Sequence, residues 1–200
     1  ERYEIPERSG APEPILEHAL RSVRLVLERG AGQHGLCRMG TGDWNDGMNL
    51  VGADGMGESV WLTWFAAITL DRLTRLLDRV GRTELIGGCE NAAVKLRAAA
   101  EDAWDGKWFL RGFYDDGAPL GSAESDECRI DSIAQSFAQF AGADREKTRT
   151  ALDYAAERLY DRGAKLIRLF EPPFCNGKQD PGYIRSYCAG FRENGGQYTH

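Results

Sequence analysis

No stretch of this chain approaches ~18 uninterrupted apolar residues, so nothing in it is long and apolar enough to span a membrane as a helix. A basic surplus is missing too. The 25 Lys and Arg stand against 31 Asp and Glu, and the net charge of −6 argues against an electrostatic grip on nucleic acid or on an anionic bilayer surface. The five cysteines (Cys37, Cys89, Cys128, Cys175, Cys188) are odd in number and widely spaced, with no CxxC and no paired histidine. That pattern suggests neither a disulfide framework nor a metal site and reads as reduced thiols. There is no GxGxxG turn, Walker loop or HExxH helix, and no basic run interleaved with aromatics. The first residues, ERYEIPERSG, are too charged for a signal peptide, and with no initiating Met the segment reads as a piece of a longer protein.

What is present suits one good-sized domain: 200 residues, 42% hydrophobic and 28% charged. Glu1 to Ala11 is polar and irregular and reads as an arm or linker. From Glu13 to Arg29, Ile15, Leu16, Ala19, Leu20, Val23 and Leu27 recur at helical spacing, and Gly30 ends the pattern. Gly52 to Gly57 reads as a flexible bridge, after which Ser59 can cap a long helix from about Val60 to Val80. That helix carries Trp61, Trp64, Phe65 and Ile68 around more than a narrow stripe, as an inner helix would. For Trp61 and Trp64 a core role outweighs a sugar-facing one. A further helix is expected over Thr83 to Trp104. The aromatic run Trp108 to Tyr114 followed by Asp115, Asp116 and Gly117 predicts a short β-hairpin. Asp131 and Asp144 can cap two more helices, separated by a break at Gly142. Phe174 to His200 has no clear period. His18 and His34 read as surface or satisfied histidines. Helices arriving in pairs without βα alternation predict an all-α layered architecture.

One stretch is dense in chemistry. Thr41 to Leu50 reads TGDWNDGMNL, with Asp43 and Asp46 placed around Trp44 and Asn45, and Gly42 and Gly47 flanking. It has no helical or strand period and is a loop by pattern. An indole offers a flat face for a sugar ring or base, amides offer donors and acceptors, and carboxyls offer acid and base chemistry. The same letters also make an ordinary turn, in which Trp44 plugs a core.

The spelling GTGDWNDGMN, followed by GESVW, resembles the signature of the inverting glycoside phosphorylases that include the cellobiose and chitobiose enzymes and the phosphorylase-like domain of cyclic β-1,2-glucan synthases. WDGKWFLRGFYDDGAPLGS and RENGGQYTH resemble the same family. EPPF and PGYIRSYCAGFRENGGQYTH look most like the glucan synthase domain and the 1,2-β-oligoglucan phosphorylases. The resemblance covers nearly all 200 residues. It implies part of an (α/α)₆ barrel, about half of it in this chain, with the small hairpin as an insertion.

The resemblance also implies roles. Asp46 matches the general acid, Trp44 the tryptophan that contacts sugar, and His200 a phosphate-contacting histidine, beside which Gly195 and Gly196 let backbone amides approach an anion. Asp43 would fix the loop or bind a sugar hydroxyl. Arg129 matches a sugar-contacting basic residue, although an Arg beside Glu127 and Asp131 is more often a salt-bridged surface group. Favouring the protonated form of Asp46 calls for an aromatic or a neighbouring carboxylate, for which Trp44 and Asp43 are the candidates. The reaction implied is phosphorolysis of a β-glucosidic bond with inversion, releasing glucose 1-phosphate. Its partners are a β-glucan or β-glucoside oligosaccharide and inorganic phosphate as co-substrate, with no metal and no organic cofactor. The rivals are an inverting hydrolase, with Asp43 or Glu193 activating water, and a non-catalytic carbohydrate-binding module. The compartment implied is the cytoplasm, or a cytoplasmic domain of an inner-membrane synthase; self-association is left open.

Overall fold

In the computed structural model, which describes residues 10–196, the chain divides into two units, residues 1–30 and 31–200. The first holds α1 (Ile15–Glu28), and Gly30 beyond it has φ +73°, the left-handed conformation a helix end favours. The pattern from Glu13 to Arg29 thus yields its helix, trimmed by the chain direction that Pro14 sets. Gly10 and Ala11 are exposed, and the rest of the expected arm lies outside the described residues.

The second unit is built from two helical hairpins. Helix α2 (Val60–Arg79) packs against α3 (Ile86–Asp102), and α4 (Ser132–Ala141) packs against α5 (Arg145–Leu159), while α2 and α4 also lie side by side. Four caps follow local rules. Ser59 Oγ accepts from Leu62 N–H, Asp131 accepts from Ile133 N–H, Asp144 accepts from Glu146 and Lys147 N–H, and Gly142 closes α4 at φ +69°. The helix expected from Thr83 opens as a 3₁₀ turn over Thr83–Leu85 and becomes α-helical at Ile86. With α1, five α-helices stand among the described residues.

The expected hairpin exists but is not a lone insertion. Strands β3 (Gly112–Phe113) and β4 (Pro119–Leu120) form half of a four-stranded antiparallel sheet with β1 (Cys37–Arg38) and β2 (Glu58–Ser59), in the order β1-β2-β3-β4. Two-residue strands carry no readable alternation, so only the tight turn was visible beforehand. Two smaller ladders pair β5 (Ile130–Asp131) with β8 (Phe170–Glu171) and β6 (Tyr160–Asp161) with β7 (Leu166–Ile167). The bridge Gly52 to Gly57 is pinned where flexibility was expected. The Asp115 carboxylate accepts from the N–H groups of Asp54, Met56 and Gly57 at 2.7–2.8 Å.

Two apolar clusters fill this unit. One, between the helices, centres on Trp64, Phe109, Ile130, Ala138 and Leu159, with Trp64 and Phe109 in an edge-to-face pair at 5.4 Å. The other lies under the Thr41–Leu50 loop and uses Met39, Met48, Leu120, Phe170, Phe174 and Ile184. Trp61 and Trp64 are both buried, as core residues. All five cysteines are free thiols. No helix among the described residues is long and apolar enough to cross a membrane. Because Trp64 has no exposed surface, Trp64→Ala should cost about 3–5 kcal/mol of unfolding free energy, read from urea titration.

Candidate active site

The Thr41–Leu50 loop is held from below by ions and from the side by backbone. Strand β3 follows directly on Arg111, whose side chain has no exposed surface. Its Nη1 and Nη2 donate to the two carboxylate oxygens of Asp43 at 2.6 and 2.7 Å, and its Nε stands 3.2 Å from Asp131 Oδ2. Ser59 Oγ donates to Asp43 Oδ2 at 2.6 Å, and Asn45 N–H donates to Asp43 Oδ1 at 3.0 Å. Asp43 is therefore fully enclosed, with both oxygens engaged in fixing the loop.

The charges in this cluster pull against burial. Burial pushes Asp43 up, yet the Arg111 charge and hydrogen bonds from Arg111, Ser59 and Asn45 outweigh it and hold Asp43 below the usual carboxylate range. Burial dominates at Asp131, which receives only one guanidinium nitrogen, and pushes it up to about 6. Burial lowers Arg111, but two carboxylates more than restore it, so it stays charged.

Asp46 lies on the exposed side of the same loop. Burial, with the Asp46 carboxylate nearby, pushes the Tyr183 hydroxyl up to about 12. Tyr183 is 45% exposed, so the nearby Asp46 charge is the physically firmer cause. The segment carrying Tyr183 is strapped to the loop. Tyr183 N–H donates to Asn49 Oδ1 at 2.9 Å, Ile184 N–H to Gly47 O at 2.9 Å and Leu50 N–H to Pro181 O at 3.2 Å. Gly182 sits at φ +114°, and a Cβ there would run into Asn49. Trp44 is half-buried against the lower core cluster. Asn45 is 2% exposed, and among the described residues neither polar atom of its carboxamide has a hydrogen-bond partner.

The other expected site residues are placed as follows. Gly195 and Gly196 are buried in a tight turn: Gly195 has φ +80°, and Gly196 O accepts from Leu169 N–H at 2.7 Å. Asn194 holds that turn by bonding Phe174 N–H and the carbonyls of Phe174 and Tyr187. Tyr187 carries the Arg192 guanidinium over its ring at 4.5 Å and meets Tyr183 edge to face, so the turn and Asp46 are linked through one segment. His200 lies outside the described residues. Arg129 is exposed, and its Nε donates to Ser125 O at 2.8 Å. The salt bridge expected of it is absent among the described residues, because Asp131 is taken by Arg111 and Glu127 by Arg185 at 3.5 Å. None of its hydrogen bonds among the described residues reaches the Asp46 loop. Glu193 is 9% exposed and faces Arg192 Nε at 3.2 Å.

Two contributors were missed beforehand. Arg111 sits in the quoted run WFLRGFYDDG, but its partner Asp43 is 68 residues away. Tyr183 lies in a region without period, and its spelling PGYIRSY offered only a resemblance. A cavity of about 290 Å³ is lined by Tyr114, Leu120, Glu124, Glu127, Phe174 and Gln179, and by neither Asp46 nor Trp44. Asp46 and Trp44 thus lie apart from that cavity. Among the described residues no group of three or more His, Cys, Asp or Glu is placed to hold a metal ion.

Residues 2–200 match the family described as the glycosyl hydrolase 94 superfamily, catalytic domain. The chain is 47% identical over 188 residues to the cyclic β-(1,2)-glucan synthase NdvB of Rhizobium meliloti, covering 93% of this chain and 7% of that protein. It is 36% identical to a 3-O-β-D-glucopyranosyl-β-D-glucuronide phosphorylase of Paenibacillus borealis (93% of this chain, 24% of that protein). It is 32% identical to a cellobionic acid phosphorylase of Neurospora crassa (100% of this chain, 25% of that protein). The chain thus spans about a quarter of these phosphorylases and less of the synthase.

The buried ions give a pH signature. Asp131 binds its proton more tightly folded than unfolded, so its contribution to stability is complete below about 3.8 and is lost as pH rises through about 6. Asp43 has the opposite sign, its contribution being lost as pH falls below about 3.8. Asp131→Asn keeps a capping side chain and should flatten the pH dependence of unfolding between about 4 and 6, measured by urea titration at stepped pH.

Proposed function

The chain belongs to the glycosyl hydrolase 94 superfamily, an (α/α)₆-barrel family whose members named above are glycosyl-transferring enzymes, and on that premise we propose that it carries the proton-donating part of an inverting β-glucoside phosphorylase site. The observation that carries this reading is the division of labour within one loop. Asp43 is sealed and ion-paired by Arg111, and Asp46, three residues on, is exposed where the Tyr183 segment is strapped to the loop.

In the proposed step a phosphate oxygen attacks the anomeric carbon from the face opposite the glucosidic bond. That bond breaks, and its electron pair stays on the leaving sugar oxygen, which takes the proton from the Asp46 carboxyl. Inversion of the β-linkage gives α-glucose 1-phosphate. Phosphate is itself the nucleophile, so no second carboxylate is required. Trp44, half-buried in the same loop, is the sugar-contacting indole of this reading. The turn at Gly195 and Gly196, with His200, supplies the phosphate contacts in this reading, and a metal or organic cofactor has no part in it.

The identity to the glucan synthase supports a β-1,2-linked glucan as the substrate class. A hydrolase using Asp43 is disfavoured, since a carboxylate with no exposed surface and both oxygens engaged cannot hold a water for attack.

The test uses the whole protein that carries this chain. Asp46→Asn should lower phosphorolysis by at least ~10²-fold while oligosaccharide binding is kept, with glucose 1-phosphate assayed in the presence and absence of phosphate. Unchanged turnover in Asp46→Asn, or release of free glucose without phosphate, would remove this reading.

A further inference from the structure

We propose that Arg111 is the positioning residue of the proton donor: a guanidinium sealed away from substrate that fixes where Asp46 stands by clamping Asp43. The proposal rests on the reading of Asp46 as the acid. Arg111 has no exposed side-chain surface, so it cannot touch a sugar or a phosphate. Its whole fork is spent inward, with two nitrogens on the two oxygens of Asp43, the third beside Asp131, and Nη1 also 3.3 Å from Ser59 Oγ.

The clamp reaches Asp46 through a tight loop. Gly42, next to Asp43, sits at φ +130°, and a Cβ placed on it would stand 3.0 Å from Asp46 Cα and 3.3 Å from Asp46 O. The two backbones are thus in contact across the loop, and a displacement of Asp43 is passed to Asp46 directly. Arg111 is itself fixed. Its N–H donates to Leu120 O and its carbonyl accepts from Val60 N–H, and Gly121 at φ +85° leaves no room for a Cβ against its backbone. Ser59 closes the arrangement by donating to Asp43 while accepting from Leu62 N–H at the start of α2.

The fork geometry explains the residue type. A guanidinium meets both carboxylate oxygens at once and sets the plane of the carboxylate, whereas an ammonium is a point charge that leaves the plane free to rotate. A lysine at 111 would keep the charge and lose the orientation.

The experiment compares Arg111→Lys, Ser59→Ala and Asp46→Asn in the whole protein on two substrates: an unactivated β-glucoside oligosaccharide and 2,4-dinitrophenyl β-glucoside, whose leaving group departs without a proton. Thermal melting checks folding. Arg111→Lys should lower kcat on the oligosaccharide by about 10²-fold with KM held within about threefold, and the loss on the activated substrate should be at least about tenfold smaller. Ser59→Ala, the milder variant, should show the same dependence on leaving group at about tenfold, and it decides the matter if Arg111→Lys fails to fold. A folded variant that loses nothing, or that loses both substrates equally, would overturn the positioning role. Asp46→Asn separates the two claims. If it shows the leaving-group dependence and the Arg111 and Ser59 variants do not, only the positioning role falls; if it shows none, the acid assignment itself falls. A parent that turns over only the oligosaccharide is judged on kcat against KM, where a loss confined to KM overturns the proposal.

Discussion

A charged guanidinium with no exposed surface is expensive, and here it stands where three separate parts of the chain meet. Arg111 joins the loop through Asp43, the start of α2 through Ser59 and the start of α4 through Asp131. Removing one partner of such a cluster leaves an uncompensated buried charge, which typically costs about 3–5 kcal/mol. The cost is what makes the arrangement specific: alternative loop positions would strand either the guanidinium or a carboxylate. Two carboxylates against one guanidinium leave an excess negative charge in the interior, and Asp131 answers it by holding its proton up to about 6 while Asp43 stays ionised.

The helical hairpins and the small strands are arranged to deliver this cluster. Strand β2 ends at Ser59 and runs straight into α2; strand β5 ends at Asp131 and runs straight into α4. In both cases the last strand residue is the helix cap and also a partner in the Arg111 cluster. Helix N-termini carry a partial positive charge that favours nearby carboxylates, so α2 and α4 support Asp43 and Asp131 from behind. The two helices that pack side by side are therefore also the two that fix the loop, and the helical layers act on the site through their first turns.

What could be read beforehand was what obeys local rules. Ser59, Asp131, Asp144 and Gly142 each act within a few residues of themselves, and all four take the positions expected of caps. The hairpin turn at Asp115 to Gly117 was legible for the same reason. The sheet around it was not, since pairing Glu58–Ser59 with Gly112–Phe113 joins segments more than fifty residues apart without any alternating pattern. Arg111 and Arg129 show the same limit from opposite sides. Arg129 has two acidic neighbours in sequence and pairs with neither, because Arg111 and Arg185 reach those carboxylates from distant segments. Tyr183 lay in a glycine-rich stretch whose order comes from strapping onto the loop, which no periodicity announces.

The acidic surplus of the chain, 31 against 25, takes a different meaning once the carboxylates near the site are followed individually. Asp115 is spent on the N–H groups of Asp54, Met56 and Gly57, and Glu127 on those of Cys175, Asn176 and Gly177. Buried Glu58 accepts from the N–H groups of His34 and Leu36 and pairs with the His34 ring, which stacks on Phe113. Asp43 and Asp131 are spent on Arg111. Each of these groups substitutes for missing secondary structure by satisfying backbone donors or a buried cation, so their charges serve as loop anchors and contribute little to an external field. Within the TGDWNDGMNL loop this leaves Asp46 as the carboxylate that, among the described residues, is bound to neither backbone nor a cation, exposed beside Tyr183. The acid proposed at Asp46 is thus the carboxylate of this loop that takes no part in anchoring it among the described residues.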